Sequence, residues 1–69
     1  MKNIIEQLRK EFGMTQDELA EKLEVSRQTD SSLENSRYNP SILLSFKISK
    51  LFGRSIEEIF IYEENNNEK

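Results

Sequence analysis

Large apolar side chains at Ile4, Ile5, Leu8 and Phe12 recur at helical intervals, with Glu6, Gln7, Arg9, Lys10 and Glu11 filling the other faces. That one-sided stripe predicts a first helix over residues 2–12, closed at Gly13. The next segment begins Thr15-Gln16-Asp17-Glu18, a hydroxyl followed three residues later by a carboxylate. This reciprocal capping pattern satisfies orphan backbone amides at a helix start, and it predicts a second helix to about Leu23 with Leu19, Ala20 and Leu23 turned inward. Glu24-Val25-Ser26 interrupts the pattern briefly; Ser26 is a favourable N-cap for a third helix from Arg27 to about Asn35. Leu33 is the one large apolar residue of that third helix. A helix so poor in core-facing residues gains little from burial, so its sequence serves something other than stability.

Downstream, Ser36-Arg37-Tyr38-Asn39-Pro40 reads as a loop in which Asn39 caps a fourth helix and Pro40 takes its first position. Leu43, Leu44, Phe46, Ile48, Leu51 and Phe52 make this the most apolar helix, and it ends at Gly53. Ser55-Ile56-Glu57-Glu58 repeats the capping pattern and opens a short fifth helix carrying Ile56, Ile59 and Phe60. The expected fold is all-α, five helices in one domain over residues 1–61. Residues 62–69, an acidic polar tail with three consecutive asparagines, are expected to be mobile.

At 69 residues the chain can build one hydrophobic core, and its 35% hydrophobic and 33% charged residues are those of a soluble globular protein. No apolar run approaches membrane-spanning length, and the N-terminus turns polar again at Glu6, unlike a secretion signal. A cytoplasmic protein without membrane contact is expected. The absence of cysteine and histidine removes disulfides, the usual structural zinc and every catalytic arrangement that needs an imidazole. A carboxylate pair or a Lys/Tyr acid-base site remains conceivable chemically, but so short a chain has little material for a pocket once its core is built. The reading is a protein that is not an enzyme, with no cofactor, no metal and no evident small-molecule ligand.

Two short helices joined by a tight turn, the second of them polar, form the arrangement in which one helix braces against a DNA backbone while the other lies in the major groove. The run Thr15-Gln16-Asp17-Glu18-Leu19-Ala20-Glu21-Lys22-Leu23-Glu24-Val25-Ser26-Arg27-Gln28-Thr29, followed by Leu33-Glu34-Asn35 and Arg37-Tyr38-Asn39-Pro40-Ser41, closely resembles the phage Cro/repressor (Xre-type) helix-turn-helix family. The resemblance extends from residue 1 to about residue 60. It implies a compact five-helix domain in which Ala20 lets the second and third helices pack closely and in which Arg27, Gln28 and Ser32 face base edges. The chemistry is compatible: Arg can bond guanine, and Gln adenine, in bidentate fashion. Thr15, Gln16, Ser26, Asn35, Arg37 and Tyr38 are correspondingly placed for phosphates, aided by the partial positive charge of helix N-termini.

The chain also departs from that family. Asp30 stands where the family places a β-branched or similar apolar residue pointing from the third helix into the second, and burying an unpaired carboxylate costs several kcal/mol. The outcomes open to it are burial as a protonated or paired acid, exposure through rotation or fraying of the helix, or dependence on a partner. Arg27 is near enough in sequence to pair with it, whereas Glu34 repels it. Glu24 and Ser36 stand where the family favours Gly, each at a cost of about 1 kcal/mol, and Arg54 takes a usually apolar position. Within residues 15–38, the six acids Asp17, Glu18, Glu21, Glu24, Asp30 and Glu34 face three bases, Lys22, Arg27 and Arg37, a local charge of −3 that matches the net −3 of the whole chain. Such a balance opposes long-range attraction to DNA and predicts weak, strongly salt-sensitive binding unless two copies act together.

The expected function is transcriptional regulation. A homodimeric repressor would read a near-palindromic double-stranded site, its two copies joined through the fifth helix and Phe60, Ile61 and Tyr62. The alternative is a protein-interaction or heterodimerisation module of the same fold with weakened or lost DNA binding.

Overall fold

Capping chemistry sets most of the helix boundaries. In the computed structural model, which describes residues 2–61, the elements run β1 (Lys2–Asn3), α1 (Ile5–Glu11), α2 (Gln16–Leu23), α3 (Arg27–Glu34), α4 (Ile42–Phe52), α5 (Ile56–Ile59) and β2 (Phe60–Ile61). Thr15 Oγ1 accepts from the Glu18 amide at 3.1 Å while Glu18 Oε1 accepts from the Thr15 amide at 2.8 Å. The same reciprocal box, Ser55 with Glu58, starts α5. Ser26 caps α3 by accepting from the Thr29 amide at 3.0 Å. At α4 the cap is Ser41, which accepts from the Leu44 amide at 3.1 Å. The helix therefore begins at Ile42, and Asn39 and Pro40 lie in the preceding loop instead of capping and opening it.

The first helix is shorter than its apolar stripe suggests. Lys2 and Asn3 are extended and pair antiparallel with Ile61 and Phe60 respectively, so α1 begins only at Ile5. Asn3 makes the transition: its Oδ1 accepts from the Ile5 amide at 3.0 Å and its Nδ2 donates to the Leu33 carbonyl at 2.8 Å. The Ile4 amide donates to the Ile59 carbonyl at 3.0 Å, extending the tie between the two ends of the domain. By the same pairing Phe60 leaves α5 and belongs to β2. Among the described residues the fold is all-α with this one two-stranded addition. The tail over 62–69, including Tyr62, lies outside the described residues.

Every helix contributes to one core: Ile5 and Leu8 from α1, Leu19 and Leu23 from α2, Leu33 from α3, Leu44, Ile48 and Phe52 from α4, and Ile59 from α5, with Phe60 added from β2. Phe12, at the end of α1, stays half out of this core and meets Phe52 edge to face at 5.1 Å, a favoured aromatic geometry. The long apolar run of α4 is only partly used, since Ile42, Leu43 and Phe46 are exposed. No described helix is long and apolar enough to cross a membrane. Glu24 and Ser36 both adopt left-handed backbone, at φ 62° and 63°; among the described residues these are the two places where a side chain stands in a conformation that favours glycine. Glu24 Oε1 meets Lys47 Nζ at 2.9 Å, tying the turn after α2 to α4.

A buried ion pair joins three helices. Arg9 Nε of α1 lies 2.9 Å from Glu34 Oε2 at the end of α3, and the two side chains are 10% and 2% exposed. Arg9 Nη2 also donates to Glu34 Oε1 at 3.4 Å, Arg9 Nη1 donates to the Met14 carbonyl at 2.9 Å, and Gln16 Nε2 of α2 donates to Glu34 Oε1 at 3.3 Å. Removing one member of such a pair leaves the other charge buried and uncompensated. Arg9→Met should therefore lower stability by about 3 to 5 kcal/mol in urea unfolding at neutral pH, a large share of the roughly 5 to 15 kcal/mol that holds a small domain. A loss below about 1 kcal/mol, the worth of a surface pair, would show that the pair does not join the helices.

Candidate nucleic-acid interface

The short turn Glu24-Val25-Ser26 reverses the chain because Glu24 is left-handed and the Val25 amide donates back to the Ala20 carbonyl at 2.9 Å. Ala20, almost fully buried, allows α2 and α3 to approach. Along α3 the helical repeat sorts the side chains by face. Asp30, Leu33 and Glu34 point inward; Gln28, Ser32 and Asn35, at i, i+4 and i+7, lie on the outward side, where Gln28 and Asn35 are exposed and Ser32 is half-buried. Arg27 is exposed beside Gln28 in the first turn, and its Nε lies 3.6 Å from Asp17 Oδ1 on α2. Of the outcomes open to Asp30, pairing with Arg27 is not the one found: Arg27 projects outward toward the start of α2, and Asp30 points the opposite way.

The residues expected at phosphates are distributed around this unit. Thr15 is exposed at the N-cap of α2, and Ser26, exposed at the N-cap of α3, also donates its hydroxyl to Thr29 Oγ1 at 2.9 Å. Asn35 is the C-cap of α3, and Arg37 and Tyr38 are exposed on the loop that follows. Gln16 is half-buried and partly committed to Glu34, a bracing contact that no sequence pattern announced. Of the segment expected to join two copies, Phe60 is 7% exposed because it packs in the core of its own chain, whereas Ile61 is 43% exposed.

Asp30 is the unusual group. It is 0% exposed, and among the described residues no donor reaches either of its carboxyl oxygens. Arg9, the nearby cation, is already bonded to Glu34 and to the Met14 carbonyl. Burial first, and then the hydrogen bond and negative charge of Glu34, push the Asp30 carboxyl from 3.8 up to about 7, against a smaller opposing pull from Arg9. For Glu34 burial acts upward too, but the bonds from Asp30, Arg9 and Gln16 outweigh it and hold the carboxyl below its ordinary value. Below about pH 7 the pair thus carries one charge, a protonated Asp30 facing the Glu34 carboxylate. The acidic census of the motif changes accordingly. Asp30 and Glu34 are internal, Glu24 and Asp17 are paired with Lys47 and Arg27, and Glu18 is engaged in its capping box.

Comparison with known proteins agrees with this geometry. The sequence profile of the helix-turn-helix family matches residues 5–59. An HTH-type transcriptional regulator of Methanocaldococcus jannaschii is 51% identical over 65 residues, covering 94% of this chain and 98% of its own. Another from Methanothermobacter thermautotrophicus is 48% identical over 66 residues, covering 94% and 96%. The HTH-type transcriptional regulator YgzD of Bacillus subtilis is 44% identical over 66 residues, covering 96% and 100%.

The two carboxyls set the pH dependence of stability. Asp30 binds a proton in the folded chain at pH values where the unfolded chain has released it, so its contribution is full below about pH 4 and is lost as pH rises through about 7. Glu34 acts in the opposite sense: its contribution is present above its ordinary value of 4.5 and is lost as pH falls through its lowered folded value. Unfolding free energy should therefore fall between about pH 5 and 7, by at most ~1.4 kcal/mol per pH unit, and Asp30→Asn should flatten that slope. Denaturant titrations at several pH values measure it, and a wild-type curve already flat over that range would contradict the buried neutral acid.

Proposed function

The chain belongs to the Cro/C1-type helix-turn-helix family and is a DNA-binding transcriptional regulator, not an enzyme; from that premise we propose that it acts as a homodimeric repressor reading a near-palindromic operator. The observation that carries this reading is the first turn of α3: Arg27 and Gln28 are exposed side by side at a helix start capped by Ser26, where guanidinium and amide can reach base edges in a major groove. Ser32, one turn further on the same outward side as Gln28, adds a third contact. Thr15, Gln16, Ser26, Asn35, Arg37 and Tyr38 contact phosphates and set the register of the helix without reading sequence. Two copies place their α3 helices about one turn of duplex apart, and joining two sites compensates for the weak attraction of a single copy whose net charge is −3. Exposed Ile61 supports a dimer contact at the C-terminal strand. Such a regulator works where the genome lies, in the cytoplasm.

A second reading, a protein-interaction or heterodimerisation module with weakened DNA binding, is favoured by the exposed Ile42, Leu43 and Phe46 of α4 and by the net charge of −3. Sedimentation combined with a duplex titration at low and high salt separates the two. The repressor reading expects a dimer whose DNA affinity falls steeply with salt; the absence of any salt-dependent duplex binding favours the module.

On a duplex selected by the protein from a random pool, Arg27→Ala should weaken binding by about 1 to 3 kcal/mol and relax preference at one base pair. Arg37→Ala should instead weaken binding to all duplexes alike and reduce the salt slope by about 1. Unchanged specificity and affinity in Arg27→Ala would show that α3 is not the reading helix.

A further inference from the structure

The face of α3 opposite Arg27 and Gln28 holds a chemical group that helix docking does not require. Asp30 sits at 0% exposure on the side of α3 that packs inward, and among the described residues no donor reaches either of its carboxyl oxygens. The charged groups acting on it are Glu34, one turn along its own helix, and Arg9 from α1. On α2 the polar side chain in this network is the uncharged Gln16, which bonds to Glu34, and on β1 it is the uncharged Asn3, which bonds to the Leu33 carbonyl. The cluster therefore has two carboxyls and one cation, and the cation is bonded to Glu34 through two nitrogens, with its third used on Met14. One negative charge is satisfied; a second has no counter-charge and no donor, and a buried charge in that position costs several kcal/mol.

We propose that α3 is a proton-latched recognition helix: Asp30 docks against the core as the neutral acid, and its ionisation undocks α3 and weakens binding to duplex DNA. This rests on the reading of α3 as the DNA-contacting helix and adds to it a regulation by pH. The element with two states is α3 itself. Its attachment consists of Leu33, the Glu34 pair at its last turn and the Asp30 carboxyl, and its outer face is polar, so it is the helix with least apolar burial to resist release. The chain has no histidine, so no side chain with an ordinary titration near neutrality competes with this one. The folded value of about 7 for Asp30 puts the latch in the range where cells vary. Losing the proton leaves the pair with two charges facing one Arg9. Swinging the first turns of α3 into water relieves this, and it displaces Arg27 and Gln28 from the geometry that a groove requires.

The test measures the latch and the DNA binding separately on the full chain. Carbon-detected NMR follows the Asp30 carboxyl through a pH titration. Amide exchange, corrected for intrinsic rate, compares α3 with α4 at about pH 6 and 8. For a group titrating midway, protection of α3 should fall about tenfold across that interval relative to α4, and Asp30→Asn should abolish the difference. Fluorescence anisotropy with a labelled duplex, selected from a random pool by the wild type near pH 6 and assayed at constant ionic strength, should show several-fold weaker binding near pH 8 for the wild type alone. An Asp30 carboxyl that titrates near its ordinary value overturns the proposal, as does α3 protection that is constant with pH, a change that persists in Asp30→Asn, or unaltered duplex affinity while α3 protection falls. If Asp30→Asn does not fold, the wild-type carboxyl titration and exchange decide alone. If no duplex is bound at any pH, the DNA reading fails, while the exchange data still decide the latch.

Discussion

The contact between Arg9 and Glu34 is the constraint on which the remaining geometry depends. It is a charged pair held almost out of water, with the guanidinium bonded to both carboxylate oxygens and to the Met14 carbonyl. Such a pair is stable only when its geometry is complete, so it demands that α1, the turn after it and the end of α3 be held together. Gln16 brings the start of α2 into the same network. Four segments are therefore positioned by one polar cluster, and the hydrophobic core forms around that arrangement from side chains that have no directional preference of their own.

This arrangement also explains how an acidic chain can present a surface for an acidic polymer. Of the six acids between residues 15 and 38, Glu34 is paired internally with Arg9 and Asp30 is neutralised by its own proton below about pH 7, while Glu24 and Asp17 are paired at the surface with Lys47 and Arg27. Formal charge counted along a sequence treats every carboxylate as equal. Burial and pairing make them unequal, and what a phosphate backbone encounters is the exposed set, in which Arg27 and Arg37 stand at the start of α3 and just beyond its end.

Asp30 shows how an ionisable residue can be kept inside the fold. The site is closed to water, and the neighbouring Glu34 offers an acceptor for the O–H of a neutral carboxyl. The backbone of α3 keeps its helical form, with the Asp30 amide donating to the Ser26 carbonyl at 3.1 Å. The cost is moved from backbone geometry to a protonation equilibrium. Glu24 and Ser36 represent a different compromise: there the chain keeps the turn and accepts left-handed backbone in residues with a Cβ. The two turns flank α3, one on each side, and in each the conformation is imposed by the elements it connects.

Much of this protein was determined by local sequence. The two capping boxes at Thr15 and Ser55, the cap at Ser26 and the stop at Gly53 act through contacts within a few residues, so α2, α3 and α5 and the end of α4 were legible from spacing alone, as was the helix-turn-helix. What only the tertiary structure decided depends on partners far along the chain. Lys2 and Asn3 are extended because Phe60 and Ile61 lie beside them, which shortens α1 and removes Phe60 from α5. Arg9 looked like one more residue on a solvated helix face, and no short-range pattern links it to Glu34, 25 residues away. The direction of Arg27, outward to Asp17 and not inward to Asp30, follows from the rotation of α3 that Leu33 and Glu34 impose when they are buried. The protonation of Asp30 is likewise a tertiary property, because a carboxyl gives up its charge only when the fold has taken away both water and cation.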